Sequence, residues 1–200
     1  LSRFVSNPGY IHWIAALRVL FYVCGTPLYG LLIRAGQSLR LKVYVDSDHA
    51  SNVDDRKSIS GYIIYIGSTP IVWRSKQQKG KAADSSCEAE YIALSACINE
   101  LVWIIAFLTE LGFSVPLPVS IFCDNKSAND LAHNPVHHDR TKHIDIKYHR
   151  IREFILDGTV VVKYVKSEEN PADIFTKATT STIFKKLVAY AYGYFKFPTD

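Results

Sequence analysis

Methionine is missing from all 200 positions, the first included, so the chain reads as a piece of a longer translated product. Glycine and proline are scarce, at 10 and 8, beside 12 tyrosines, 10 phenylalanines and 3 tryptophans; that balance excludes collagen-like and low-complexity chains. Long apolar runs are lacking too. The longest uninterrupted one, Leu101–Leu108, falls well short of the ~20 residues that span a bilayer, and His12, Arg18 and Pro27 break up the apolar N-terminal stretch. Nothing at the N-terminus resembles a signal peptide, and no membrane partner is expected. Acids are absent from residues 1–45, whereas the remainder carries nearly equal numbers of both signs, so the net charge of +4 comes from the N-terminal part. Basic clusters remain at Arg74–Lys81 and Arg140–Arg152, a pattern that suits a phosphate backbone as well as a solvated surface. The four cysteines, Cys24, Cys87, Cys97 and Cys123, form no CxxC pair and lie among apolar residues; they are expected as buried free thiols of a reducing, intracellular compartment.

What is present is a 48% hydrophobic chain able to bury a core. Residues 11–24 have helical spacing, stopped by Gly25 and Pro27, and residues 1–38 are taken as a helical appendage. From Leu41 the alternation changes to period two. Three strands follow, at 41–46, 61–66 and 71–74, with short connections that imply an antiparallel meander. A long helix over 87–111, a strand at 119–123, a short helix at 126–132 and a helix at 143–156 come next. Val160–Val165 is a continuous β-branched run, expected as a strand buried on both faces. A last helix is predicted from Pro171, with proline well placed in its first turn. This order describes an α/β fold: a five-stranded mixed sheet, three antiparallel strands and then parallel additions, flanked by helices. The main domain is 39–180, and 181–200 is a tail.

Four acids stand out. Asp46 and Asp48 end the first strand, and Asp124 ends the fourth; α/β sheets place their sites at such carboxyl ends. Taken alone, Asp124 is an ordinary helix N-cap. The long helix breaks the tie. Glu90, Ala93, Leu94, Cys97, Leu101, Ile104 and Leu108 share one stripe, and Glu90 is its only acid. A carboxylate facing a sheet is costly unless something pairs with it. Glu88 lies on nearly the opposite side and closes Ser85-x-x-Glu88, a capping box. Asp173 falls in the first turn of the last helix, where the helix dipole alone would favour an acid. Acids converging from two strand ends and two helix starts call for a cation. Oxygen-only donors favour Mg²⁺ or Mn²⁺, and two such ions suit in-line phosphodiester cleavage.

The motifs YVDSDHA (44–50), DDRKSISGY (54–62), SSCEAEYIAL (85–94), CDNKSA (123–128), RTKHIDIKYHRIRE (140–153) and ADIFTK (172–177) follow in this order. Together they closely resemble the ribonuclease H domain of copia-type retrotransposon Pol polyproteins. SNPGYIHW and GTPLYGL resemble the end of the reverse transcriptase region that precedes it, and the likeness covers roughly residues 3 to 178. The resemblance implies a ribonuclease H-like fold and a two-metal endoribonuclease that cleaves the RNA strand of RNA–DNA hybrids. It implies that Asp46, Glu90, Asp124 and Asp173 bind two Mg²⁺ or Mn²⁺ ions. Asp48, Ser86, Asn125, Arg140, Lys142 and His143 would support them or contact substrate. The partners implied are the hybrid and the rest of the reverse transcriptase polyprotein, in cytoplasmic virus-like particles with passage to the nucleus.

His49 stands where the family usually has tryptophan, and the Pro-Leu that usually follows ADIFTK is missing. Of the seven histidines, those between 133 and 149 match no zinc-ligand spacing. Two rivals remain: a drifted or structural module with the same fold and no catalysis, and an integrase or exonuclease of that fold. The first has no reason to keep four convergent acids; RTKHID and ADIFTK argue against the second.

Overall fold

The computed structural model describes residues 1, 4–36, 38–50, 55–80, 82–125 and 142–194, with the backbone alone for 142–148. The helix expected at 126–132, and Arg140, lie outside the described residues. The chain divides into two units, Leu1–Gly30 and Leu31–Asp200. In the first, α1 (Tyr10–Gly25) begins after Gly9, whose amide donates to His12 Nδ1 at 2.8 Å. No residue of α1 is buried, and its Ile14, Phe21 and Cys24 are exposed.

The second unit is built on one sheet. Period-two alternation produces β1 (Leu41–Asp48), β2 (Ile59–Ile66) and β3 (Thr69–Gln77) as an antiparallel meander. β4 (Val119–Cys123) joins β1 in parallel, and β5 (Val160–Tyr164) joins β4 in parallel, so the order is β3-β2-β1-β4-β5. Both faces are covered at the centre. On one lies α2 (Ser86–Glu110), whose Ala93, Leu94, Cys97, Ile98, Leu101 and Ile104 pack against Val43, Val45, Ile64 and Ile121. Each such leucine or isoleucine contributes roughly 1.5–3 kcal/mol. α3 (Lys142–Leu156) adds Ile151 to the same core. On the other face Tyr44, Ile63 and Tyr65 meet Ala172 and Ala191. Ala191 belongs to α4 (Ser181–Ala191), within the segment taken from sequence as a tail; Leu187 and Val188 of α4 are buried as well.

α2 is long and apolar enough to span a membrane by length and composition, although no unbroken apolar run in it exceeds Leu101–Leu108. Its apolar stripe faces the sheet core. Ser85 caps it by accepting from the Glu88 amide at 3.2 Å, while Glu88 reaches back to the Asp84 amide at 2.7 Å. The capping box is therefore closed one residue earlier than its sequence form implies.

Three expectations need correction. β5 is an edge strand: Val160 and Val162 are buried, Val161 and Lys163 only partly, and Tyr164 is exposed. A β-branched run does not distinguish an edge from a centre, because one covered face is enough to favour it. The α-helix predicted from Pro171 is instead a 3₁₀ turn, Pro171–Phe175, and α4 starts only at Ser181. The hydroxyl and β-branched residues Thr176, Thr179 and Thr180 disfavour continuing as α-helix. All four cysteines are free thiols, but only Cys97 and Cys123 are buried; Cys87 is half-buried and Cys24, near the end of α1, is exposed.

Gly61 allows the 3₁₀ turn to sit against β2. It pairs with Asp46 across the strands, and a Cβ there would lie 2.7 Å from Thr176 Cγ2 and 2.9 Å from Phe175 Cβ. Gly61→Ala is expected to cost about 1–3 kcal/mol by overpacking, read as a melting temperature several degrees lower. An unchanged melting temperature would show that the turn can withdraw freely.

Candidate metal centre

Parallel pairing of β1 with β4 sets Tyr44 beside Phe122, so Asp46 and Asp124, two residues further on, emerge side by side at the carboxyl ends. α2 crosses behind them and supplies Glu90 from its first turns. One carboxylate oxygen from each of Asp46, Glu90 and Asp124 lies within 4.8 Å of the others. Asp46 and Glu90 are 1% and 5% exposed, and Asp124 is half-buried. Asp173, 3% exposed, comes from the 3₁₀ turn and is not one of those three; it joins the cluster through Lys177. The Lys177 ammonium is 3.0 Å from Asp173 Oδ2 and 3.5 Å from Asp46 Oδ1.

The carboxylates are held individually. The Ser47 amide donates to Glu90 Oε1 at 3.1 Å, Thr176 donates its hydroxyl to Asp46 Oδ2, and Ser167 donates to Asp124 Oδ2. Asn170, fully buried, donates to the Val45 carbonyl at 3.0 Å and accepts from the Ala172 amide at 3.1 Å. That residue pins the turn carrying Asp173 to the strand carrying Asp46. Two buried carboxylate oxygens, Glu90 Oε2 and Asp173 Oδ1, find no hydrogen-bond partner among the described residues.

Burial first, and then the charges of Asp46 and Asp124, raise the pKa of Glu90 from 4.5 to about 9. Asp173 is pushed from 3.8 to about 7, by burial first and then by Asp46, against the pull of Lys177. Asp46 is raised by burial, again opposed by Lys177. Acids this close, this dry and with orphaned oxygens fit a hard cation: it would satisfy the open lone pairs and reverse the sign of the local field.

A stability prediction follows with a definite sign. A carboxyl group whose folded pKa is raised binds a proton in the folded chain that the unfolded chain has already lost. For Glu90 the metal-free stability is therefore fully present below pH 4.5 and lost as pH rises through about 9. Asp173 adds a loss between 3.8 and about 7. In chelator, the melting temperature attributable to this cluster should fall across that window. Mg²⁺ should restore it and release protons, as calorimetry in buffers of different ionisation heat would register. A pH-independent response to Mg²⁺ would contradict the assignment.

Of the other residues singled out in the sequence, Asp48 ends β1, half-buried and outside the three-carboxylate group. Ser86 is exposed at the first position of α2. Asn125 follows Asp124 and accepts a hydrogen bond from Cys123 Sγ through its carbonyl. Lys142 and His143 open α3, but their side chains lie outside the described residues. Sequence reasoning passed over Thr176, Lys177 and Asn170. The i,i+4 spacing of Asp173 and Lys177, and an asparagine directly before Pro171, were the available signals.

No protein-family model matches the chain. It is 43% identical over 185 residues to the retrovirus-related Pol polyprotein from transposon RE2 of Arabidopsis thaliana, and 42% identical to that from transposon TNT 1-94 of Nicotiana tabacum. These matches cover 92% of the chain in both cases, but only 13% and 14% of the relatives, so the chain spans a small part of their length. Among solved structures it resembles ribonuclease H1 from Halobacterium salinarum NRC-1, with a TM-score of 0.50 and 17% identity, over 68% of this chain and 94% of that one. LC11-RNase H1 in complex with RNA/DNA hybrid gives a TM-score of 0.50 and 16% identity, over 68% and 94%. The shared architecture is the ribonuclease H fold, as the order β3-β2-β1-β4-β5 also indicates.

Proposed function

Since the chain belongs to the retrovirus-related Pol polyproteins of transposons, we propose that it is their ribonuclease H segment, hydrolysing the RNA strand of RNA–DNA hybrids during reverse transcription. The observation that carries this reading is the meeting of Asp46, Glu90 and Asp124 within 4.8 Å at the carboxyl ends of β1 and β4. The hybrid bound by a protein of the same fold, LC11-RNase H1, supports the choice of substrate. Residues 1–38 are then the end of the polymerase region, and the rest of the polyprotein is the natural partner. The site of action would be the cytoplasmic virus-like particle, with passage to the nucleus.

Asp46, Glu90, Asp124 and Asp173 would hold two Mg²⁺ or Mn²⁺ ions, with Glu90 Oε2 and Asp173 Oδ1 as open donor atoms. When bound, such a pair supplies water activation and charge neutralisation for in-line phosphodiester cleavage. The chain's own contribution is preorganisation. Ser47 fixes the Glu90 carboxylate, Thr176 that of Asp46 and Ser167 that of Asp124, so little reordering is needed when substrate arrives. Lys177 neutralises part of the cluster's charge, which lets a polyanion approach. Asp48 lies next in line on β1 to support the ions. Ser86 at the start of α2, with Asn125, Arg140, Lys142 and His143, would contact phosphates or 2′-hydroxyls.

The test is an assay of the purified chain on uniformly labelled hybrid with Mg²⁺ or Mn²⁺. The expected result is loss of the RNA strand, leaving 5′-phosphate and 3′-hydroxyl ends, with duplex DNA intact. Absence of cleavage with either ion would favour the non-catalytic module, and attack on duplex DNA the integrase or exonuclease.

A further inference from the structure

Gln78 follows the last residue of β3 and is only 7% exposed. Its backbone amide continues the ladder to the Ser58 carbonyl at 2.9 Å. The side-chain Nε2 lies 2.8 Å from the Ala89 carbonyl, 2.9 Å from Ser60 Oγ and 3.5 Å from Ser47 Oγ. The Ala89 carbonyl fixes the amide's orientation, since it can only accept and a flipped Gln78 would set oxygen against oxygen. Its Oε1 is then left buried without a hydrogen-bond partner among the described residues. An unpaired buried carbonyl is costly, so the donor contacts must offset that cost.

Those contacts converge on Glu90. Ala89 is the residue before it, and Ser47 is the residue whose amide holds its carboxylate. One side-chain amide thus touches the first turn of α2 at the Ala89 carbonyl, β2 at Ser60 and β1 at Ser47, so it ties the residue before Glu90 to the strand whose amide holds the Glu90 carboxylate. We infer that Gln78 is a positioning residue: it clamps the start of α2 to β1 and β2 and so holds the Glu90 carboxylate at the metal centre. The inference rests on the reading of Glu90 as a cation-holding group, but its structural part can be tested without it.

The experiment compares the full chain with Gln78→Met, which keeps the side-chain length and removes the donors, and with Ser60→Ala, which removes only the β2 partner. In Gln78→Met, hydrogen-exchange protection of the Ser47 amide should fall about tenfold or more. kcat on hybrid should drop by roughly 10²-fold, the effect of an ångström-scale misplacement, with KM unchanged. Ser60→Ala should lower the melting temperature while leaving Ser47 exchange and kcat at wild-type values. Gln78→Asn, whose amide is one methylene too short to reach Ala89, takes the place of Gln78→Met if that variant fails to fold. Unchanged Ser47 exchange in the Gln78 variants, or an equal change in Ser60→Ala, would overturn the inference. A wild-type chain that cleaves no hybrid would overturn the nuclease reading instead, and Ser47 exchange would still decide the role of Gln78.

Discussion

Asp46→Asn is expected to abolish hybrid cleavage and leave the protein folded. Asp46 is 1% exposed, ends the central strand and faces Glu90, Asp124 and Lys177 at once. An asparagine has nearly the same shape and keeps an oxygen to accept from Thr176. It removes one full negative charge from the place where cations would be held. Metal-assisted charge stabilisation is worth several kcal/mol, and each 1.36 kcal/mol is a factor of ten, so the loss should be about 10³-fold or more. Asp124→Asn should behave alike, as it supplies the opposite side of the same cluster. Initial rates on labelled hybrid, with melting curves as the control for folding, check both. Cleavage near the wild-type rate by either variant would remove the site assignment.

Glu90→Gln and Glu88→Gln should separate cleanly, although the two residues are neighbours in sequence. Glu90→Gln should kill activity and stabilise the metal-free protein. At neutral pH the wild-type carboxyl must take up a proton to stay buried, because its pKa stands near 9 against an ordinary 4.5. That proton costs about 1.4 kcal/mol for each pH unit above the ordinary value, a penalty the amide escapes. The melting temperature in chelator should therefore rise by several degrees and lose much of its dependence on pH. Glu88 points to the Asp84 amide at the helix start. A glutamine there can still accept that bond, so Glu88→Gln should retain cleavage and lose about 1 kcal/mol or less. If Glu88→Gln is the inactive variant, the register of α2 against the sheet is wrong.

Strong periodicity made the sheet and α2 legible in the sequence. The alternation from Leu41 and the stripe from Glu90 to Leu108 are both enforced by a core that tolerates no slip, and the acid on that stripe was found by the same logic. β5 misled because three valines look alike whether one face or two are covered. The turn at Pro171 misled because proline marks where a helix starts and not which kind it is. Hardest to read were the supports: Gln78, Asn170, Thr176 and Lys177. Each acts through a contact with a distant element, as Thr176 does with Asp46; the local signals at Asn170 and Lys177 point to a cap and an i,i+4 pair and not to the Val45 carbonyl or Asp46. Gly61 was visible within DDRKSISGY, but the reason for it, a backbone approach from the turn at 172–176, belongs to tertiary structure alone.

The bond from Asn170 to the Val45 carbonyl joins residues 125 positions apart. Its length in sequence bears on the order of events during folding. The meander β1–β3 and its packing with α2 use shorter loops, whereas the clasp at Asn170 must wait until β4 and β5 have been added at the edge. Closing so long a loop is entropically slow, and contacts of this kind delay the last steps of assembly. On that order Asp173 and Lys177 would arrive with the clasp, and a folding chain would pass through a state in which Asp46, Glu90 and Asp124 face one another without the ammonium that offsets them. Cations present at that moment would act on the folding rate as well as on the folded protein. Refolding should accelerate with Mg²⁺ in the wild type, and the acceleration should shrink in Glu90→Gln, where one of the three carboxyl groups that would hold the ion is gone.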